Sequence, residues 1–196
     1  MRPREAKLAE VIAGSPLLAP MLAHWGEIEA PDVWLAAGAI AQTCWNQRFG
    51  FDPLYGINDV DIVYFDPDHL DEASEARAAE LIERLFPAVR VRCDVKNEAR
   101  VHLWYRERFG YDIAPYRSIG DAVATFPTTA TAIAVRPVAG SLDVIAPFGL
   151  DDLLDGVVRP NKQQITRQIY ERKLERWRRF WPELRVVDWD EGSSLS

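Results

Sequence analysis

The sequence predicts an α+β (mixed α/β) protein: a mixed β-sheet flanked by helices, with a helical N-terminal segment and a long helix near the C-terminus. Three observations carry this. Residues 58–65 and 89–96 alternate in side-chain character with the period of two that strands impose, and a helix-patterned run at 71–86 lies between them. Residues 131–138 and 142–146, separated by Ala139-Gly140-Ser141, read as a hairpin. Residues 1–30 and 162–181 instead space their apolar side chains for helices.

In chain order, Ser15-Pro16 is a cap followed by a first-turn proline, and Leu17, Leu18, Met21 and Leu22 supply the apolar face behind it. Pro31-Asp32 ends that segment. Residues 33–37 form a short buried strand running into Gly38. A helix from Ala39 to about Arg48 follows, with Ile40, Ala41, Cys44 and Trp45 at helical spacing. Residues 49–57 are a loop that delivers the chain to the strand at 58–65. In the helix at 71–86, Ala78, Leu81, Ile82 and Leu85 face inward, Glu72, Glu75, Arg77, Glu83 and Arg84 are solvated, and Pro87 ends the run. Val89, Val91, Cys93 and Val95 then point to the core, while Arg90, Arg92, Asp94 and Lys96 share the other side of their strand. Residues 97–109 are rich in arginine and aromatics and are expected to wrap the mouth of a site. Ser118 and Asp121 frame a short helix through Thr125. Asp143, in the second arm of the hairpin, reads as a polar-face residue. Another short helix spans 149–154. In the last helix, 162–181, the buried stripe is Tyr170, Leu174, Trp177 and Trp181, and the basic face of Lys162, Arg167, Arg172, Lys173, Arg176, Arg178 and Arg179 reads as solvated.

At 196 residues, nearly half of them hydrophobic, the chain suits one core. The expected organisation is a single domain over 1–196: a helical extension at 1–30, a sheet-bearing core at 31–147, a helical part at 148–183 and a mobile polar tail at 190–196. No apolar run is long enough to cross a bilayer and no secretory leader is expected, which places the protein in the cytoplasm. Cys44 and Cys93 read as buried free thiols, and His24, His69 and His102 form no ligand cluster. A net charge of −7 argues against nucleic acid as a tight partner.

The chemistry concentrates in Asn58-Asp59-Val60-Asp61. Asp59 and Asp61 project from one strand face, roughly 7 Å apart along the backbone. Like charges so close raise each other's pKa unless a cation lies between them, and a hard divalent ion with oxygen ligands, most simply Mg²⁺, suits the pair. Asp94, on a neighbouring strand, offers a third carboxylate. Gly38 stands at a strand-to-helix turn, where backbone amides can receive a phosphate.

Strand–Gly38–helix, an Asp-x-Asp strand and a later strand with one Asp resemble the nucleotidyltransferase superfamily typified by DNA polymerase beta. More closely, the chain resembles a small bacterial nucleotidyltransferase-like family long catalogued as a domain of unknown function. The matching strings are Ala37-Gly38-Ala39-Ile40, Trp45-Asn46, Asn58 through Asp66, Asp94 through His102, Ala146 through Leu150, Arg159-Pro160-Asn161 and Trp181-Pro182. The resemblance implies a nucleotidyltransferase that moves a nucleoside monophosphate from an NTP to a hydroxyl or other acceptor, with Mg²⁺ or Mn²⁺ held by Asp59, Asp61 and Asp94. Gly38, Ala39 and Asn58 would meet the nucleotide phosphates. Lys96 and Arg100, with Arg48 or Lys162, would neutralise charge. Gly38-Ala39 replaces the usual Gly-Ser or Gly-Gly, and 21 positions separate Gly38 from Asp59. Both departures favour the alternative, a catalytically inactive nucleotide- or small-ligand-binding module on the same fold.

Overall fold

Helix and strand signals resolve, in a computed structural model describing residues 2–87, 89 and 91–191, into fifteen elements besides two 3₁₀ turns. They are α1 (Pro3–Ala13), α2 (Leu18–Ala23), β1 (Trp34–Ala36), α3 (Gly38–Phe49), β2 (Asp59–Tyr64), α4 (Glu72–Leu85) and β3 (Arg92–Asn97). After them come α5 (Val101–Phe109), α6 (Ile119–Val123), β4 (Ala134–Val138), β5 (Ser141–Ile145), α7 (Asp151–Asp155), β6 (Val157–Val158), α8 (Arg167–Phe180) and β7 (Arg185–Val186).

The main sheet runs β3-β2-β1-β4-β5, and β6 pairs with β7 apart from it. Only the β2–β3 pair of the main sheet is parallel. Parallel neighbours need a crossover of a dozen or more residues, and α4 supplies it. Its start is fixed by Asp71, whose carboxylate accepts the Ser74 N–H at 2.8 Å. The hairpin turns on two residues, Ala139 and Gly140, both at positive φ, so Ser141 belongs to β5 and not to the turn.

Period-two alternation sorts the sheet into two faces. Leu35, Val60, Ile62, Tyr64, Val95 and Val135 join the main core with residues of α1, α2, α3, α4, α7 and α8. Trp34, Ala36, Val63 and Ala134 take the other face with Ile119 and Val123 of α6, a smaller cluster that covers only part of it. Aspartates 59, 61 and 94 belong to this second, thinly covered face.

Several boundaries differ from the sequence expectation. β3 begins at Arg92 and not at Val89, although Val89 and Val91 still pack on the core; Arg90 lies outside the described residues. Leu81 is exposed, because Ile82 with Ala78, Ala79 and Leu85 forms the buried stripe of α4. α8 starts at Arg167, capped by Thr166, so Lys162 precedes it in a turn. Cys44 is buried, whereas Cys93 is only partly so. Asp190 is held by Arg167 at 2.9 Å, and residues 192–196 of the expected tail lie outside the described residues.

Four aromatic and polar groups fasten α8 to α3. Trp45 meets Trp177 and Trp181 edge-on, with ring centroids 5.3 and 5.4 Å away. The Trp181 indole N–H donates to Asn46 Oδ1 at 2.7 Å, and Asn46 Nδ2 donates to the carbonyls of Tyr55 and Pro53. Gly56 closes that loop at φ +70°, where a Cβ would strike the Trp181 ring at 2.7 Å. Asn46→Ala would strand one buried indole N–H and two carbonyls, so a loss of about 2–4 kcal/mol is expected. Urea denaturation measures it; a loss below about 0.5 kcal/mol, the range of an ordinary surface change, would mean the network holds nothing.

Candidate active site

The parallel register sets Asp61 beside Asp94, Asp59 beside Arg92 and Val63 beside Lys96. Directly paired residues share a face, so all three aspartates project into one cavity of about 400 Å³. On its other side Asp61 neighbours Ala36, whose small side chain leaves room above the sheet.

At the β1–α3 turn the Gly38 N–H donates to Asp61 Oδ2 at 3.4 Å. A Cβ at Gly38 would meet only ordinary contacts, Gln42 Nε2 at 3.5 Å and Asp61 Oδ2 at 3.7 Å, so the fold alone does not demand glycine. Ala37 is the residue under backbone strain, at φ 54° and ψ −121°, with its N–H held by the Ile133 carbonyl at 2.9 Å. Such strain persists only where the surroundings over-determine it, and it gathers at functional sites. Gly38 opens α3, and Ala39 behind it is fully buried.

Cations balance the acids from two directions. Within the sheet, Lys96 Nζ lies 2.7 Å from Asp94 Oδ1, and Arg92 bridges Asp59 at 3.6 Å and Asp94 at 3.8 Å. Across the cavity stand Arg108 of α5 and Arg172, Lys173 and Arg176 of α8. The α8 flank read from sequence as solvated is therefore a wall of the site. Of the three α8 residues only Lys173 flanks the buried Tyr170–Leu174–Trp177 stripe, and Arg172 lies on the far side of the helix, so spacing alone does not single them out. Arg176 Nη2 of this wall and Gln42 Oε1 of α3, both lining the cavity, are buried without a hydrogen-bond partner. Buried polar groups are rarely left so unless something else completes them.

Other expected residues lie elsewhere. Arg100 is buried against Glu75 at 2.6 Å and donates to the Leu70 carbonyl, bracing α4 on the core side, because its short 3₁₀ turn carries it off the acidic face. Glu75, expected to be solvated, is thereby half-buried, and it also accepts the Asn97 N–H at 2.8 Å. Arg48, at the far end of α3, donates to the Leu154 carbonyl, and the Lys162 ammonium lies over the Trp189 ring. Asn58 is exposed just before β2, and none of these four lines the acidic cavity. Asp143 pairs with Arg136 on the hairpin.

Burial, and then the charges of Asp59 and Asp94, push the Asp61 carboxyl up to about 6; Lys173 and the Gly38 N–H only partly offset this. Lys173 is wetted by the cavity but surrounded by protein, which lowers its pKa despite Asp61. Among the described residues no three Asp, Glu, His or Cys side chains close around one point as an ion site does, because Asp94 is turned to Lys96. The donor set nonetheless fits a hard divalent ion: all oxygen, on one face, and short of positive charge at Asp61.

A second cavity, of about 390 Å³, adjoins the first and shares Arg108, Pro127, Arg172 and Lys173 with it. Trp104, Tyr105, Phe109, Tyr116 and Phe126 line it, and the buried Glu98 belongs to its wall. Burial, with Asp61 and Glu75 nearby, pushes the Glu98 carboxyl up to about 8 against the pull of Lys96.

The sequence profile of a nucleotidyltransferase family matches residues 24–186. The chain belongs to that family. Among solved structures, this nucleotidyltransferase is similar to a protein whose NMR structure was described as revealing a CCA-adding enzyme head domain. The TM-score is 0.76 at 24% identity, over 93% of this chain and 95% of that one, which shows a shared fold. It also aligns with a CCA-adding enzyme in complex with ATP (TM-score 0.47, 18% identity, 96% of this chain) and with the Bacillus stearothermophilus CCA-adding enzyme in complex with CTP (TM-score 0.41, 16% identity, 95% of this chain). It spans only 40% and 42% of those two chains. A search of curated proteins finds no match. No helix among the described residues is long and apolar enough to cross a membrane.

A carboxyl held up to about 6 stays protonated in the folded chain after the unfolded chain has ionised. Its burden is absent below about pH 4, grows between about 4 and 6, and is constant above that. Asp61→Asn is therefore expected to stabilise the free protein by about 1–3 kcal/mol at about pH 8, an advantage that vanishes near about pH 4. Denaturant melts of both proteins at the two pH values test this, and a pH-independent difference would refute the assignment.

Proposed function

We propose that the protein transfers a nucleoside monophosphate from an NTP to a hydroxyl-bearing acceptor and releases pyrophosphate. The observation that supports this most is the opposition of two charged walls: Asp59, Asp61 and Asp94 on the sheet, and Arg172, Lys173 and Arg176 on α8. Phosphoryl transfer needs little covalent help and much positioning and charge stabilisation, which such a cavity supplies. Gly38 and Ala39 would offer amides at the start of α3 to the phosphates that leave. Arg176, with a guanidinium N–H still unpaired, and Lys173 would take negative charge as it grows on them. Asp94, once released from Lys96, would accept the acceptor's proton. Mg²⁺ or Mn²⁺ ions, held by Asp59 and Asp61 with Asp94, would supply Lewis acidity and charge neutralisation when bound.

A second reading, a nucleotide-binding module without turnover, is favoured by the Asp94–Lys96 pair and by Ala39, which has no hydroxyl to offer a phosphate. Labelled NTP incubated with Mg²⁺ and a metabolite pool separates the two, since only an enzyme moves label into a new product. Transfer is expected, and Asp61→Asn is expected to lower it by about 10²–10⁴-fold. Arg176→Ala should lower it by about 10-fold or more, through loss of one charge-assisted contact. Unchanged Mg²⁺ affinity of Asp61→Asn in calorimetry would remove the metal assignment.

A further inference from the structure

We propose that the aromatic chamber beside the acidic cavity holds the acceptor, a nucleoside-sized alcohol with a planar, hydrogen-bonding heteroaromatic ring, and that Glu98 reads the edge of that ring. As an acceptor site it rests on the transferase reading above; as a binding site it does not.

Direction comes from the sheet. Displacement at phosphorus is in line, so the attacking oxygen lies opposite the leaving pyrophosphate. If the leaving phosphates meet the amides that follow β1, the attacker arrives from the β3 side. Strand order takes that line from Gly38 past Asp61 to Asp94, and the chamber opens next to it at Lys96 and Glu98.

Composition narrows the ligand. Trp104, Tyr105, Tyr116 and Phe126 contribute flat apolar surface, and stacking on such walls contributes about 1–3 kcal/mol per base. A volume of about 390 Å³ suits one nucleoside-sized group and not a polymer. The hydroxyl and amide groups of the wall are already committed, and its cations Arg108, Arg172 and Lys173 are shared with the acidic cavity. The Tyr116 hydroxyl meets Thr125 at 2.8 Å and the Gln164 amide at 2.7 Å, and the Tyr111 hydroxyl donates to the Gln164 carbonyl at 2.6 Å. Glu98 is different: only 6% exposed, it lines the chamber with no hydrogen bond to any described residue. A buried carboxyl left unpaired is costly unless a ligand completes it, and a carboxyl group matches the adjacent donor and acceptor of a heterocycle.

In the step itself, the acceptor's hydroxyl oxygen bonds to the α-phosphorus as the bond from that phosphorus to the bridging oxygen breaks. Pyrophosphate takes that electron pair, and the hydroxyl proton passes to Asp94 and on to water.

Calorimetry with free adenosine, guanosine, cytidine and uridine tests the chamber, with and without a non-hydrolysable NTP analogue and Mg²⁺. A parallel arm uses a short oligoribonucleotide ending in a free 3′-hydroxyl. At least one nucleoside is expected to bind, and to remain bound when the NTP analogue is added. Glu98→Leu should weaken it about tenfold or more, Glu98→Gln, which keeps a donor and an acceptor, by no more than about threefold. Trp104→Ala, at a half-buried position that the core does not need, should weaken it as well. Asp61→Asn should keep nucleoside binding while losing transfer. Binding that depends on Glu98 in the oligonucleotide arm alone supports the same chamber with an RNA terminus as the source. Binding without any transfer by the unaltered protein upholds the chamber and refutes the transferase reading. Displacement by the NTP analogue would overturn the proposal by giving the chamber to the donor's base. So would an absence of binding in both arms, or binding indifferent to Glu98→Leu and Trp104→Ala.

Discussion

Repulsion among three carboxylates on two adjacent parallel strands is the constraint to which the rest of the structure answers. The register that sets Asp61 beside Asp94 is fixed by the apolar residues alternating with them, Val60, Ile62 and Val95, which a slip of one position would turn out of the core. The core thus forces the acids together. Arg92 and Lys96 relieve part of the strain from within the sheet, and the α8 cations relieve more from across the cavity. Burial first, and then the charges of Asp59 and Asp94, still hold the Asp61 proton well above the ordinary carboxylate range, so the balance is incomplete in the free protein. An incomplete balance of this sign suits a cation-bearing anion such as a metal-bound triphosphate.

Much of this was legible in the sequence. Alternation places β2 and β3 and puts Asp59, Asp61 and Asp94 on matching faces of their strands, and apolar spacing finds α4 and the buried stripe of α8. The chain's membership of a nucleotidyltransferase family and its likeness in fold to a head domain agree with the resemblance carried by those strings. Local pattern failed where the answer depends on what lies opposite. Arg100 sits three residues after β3, close in sequence to Lys96, but the 3₁₀ turn that it ends sends it to Glu75 on the core side. Arg172, Lys173 and Arg176 carry the same charge as Arg178 and Arg179 on the same helix. Only the docking of α8 on Trp45 decides which of them meet the acids.

The turn before α3 shows the same limit. From sequence, Gly38 is the residue expected to give the backbone its freedom. In the structure Gly38 has ordinary dihedrals and Ala37 carries the unusual ones, clamped by a hydrogen bond from β1's end to Ile133. The strained conformation aims the first amide of α3, that of Gly38, at Asp61, and its energetic cost is borne by the buried sheet on either side.

The bolt between Trp181 and Asn46 has one more effect. Because α3 carries both the amide-bearing turn and the seat of that indole, the basic flank of α8 and the turn ride on a single rigid piece. The two cannot be drawn apart or together without unseating Trp45 and Trp181.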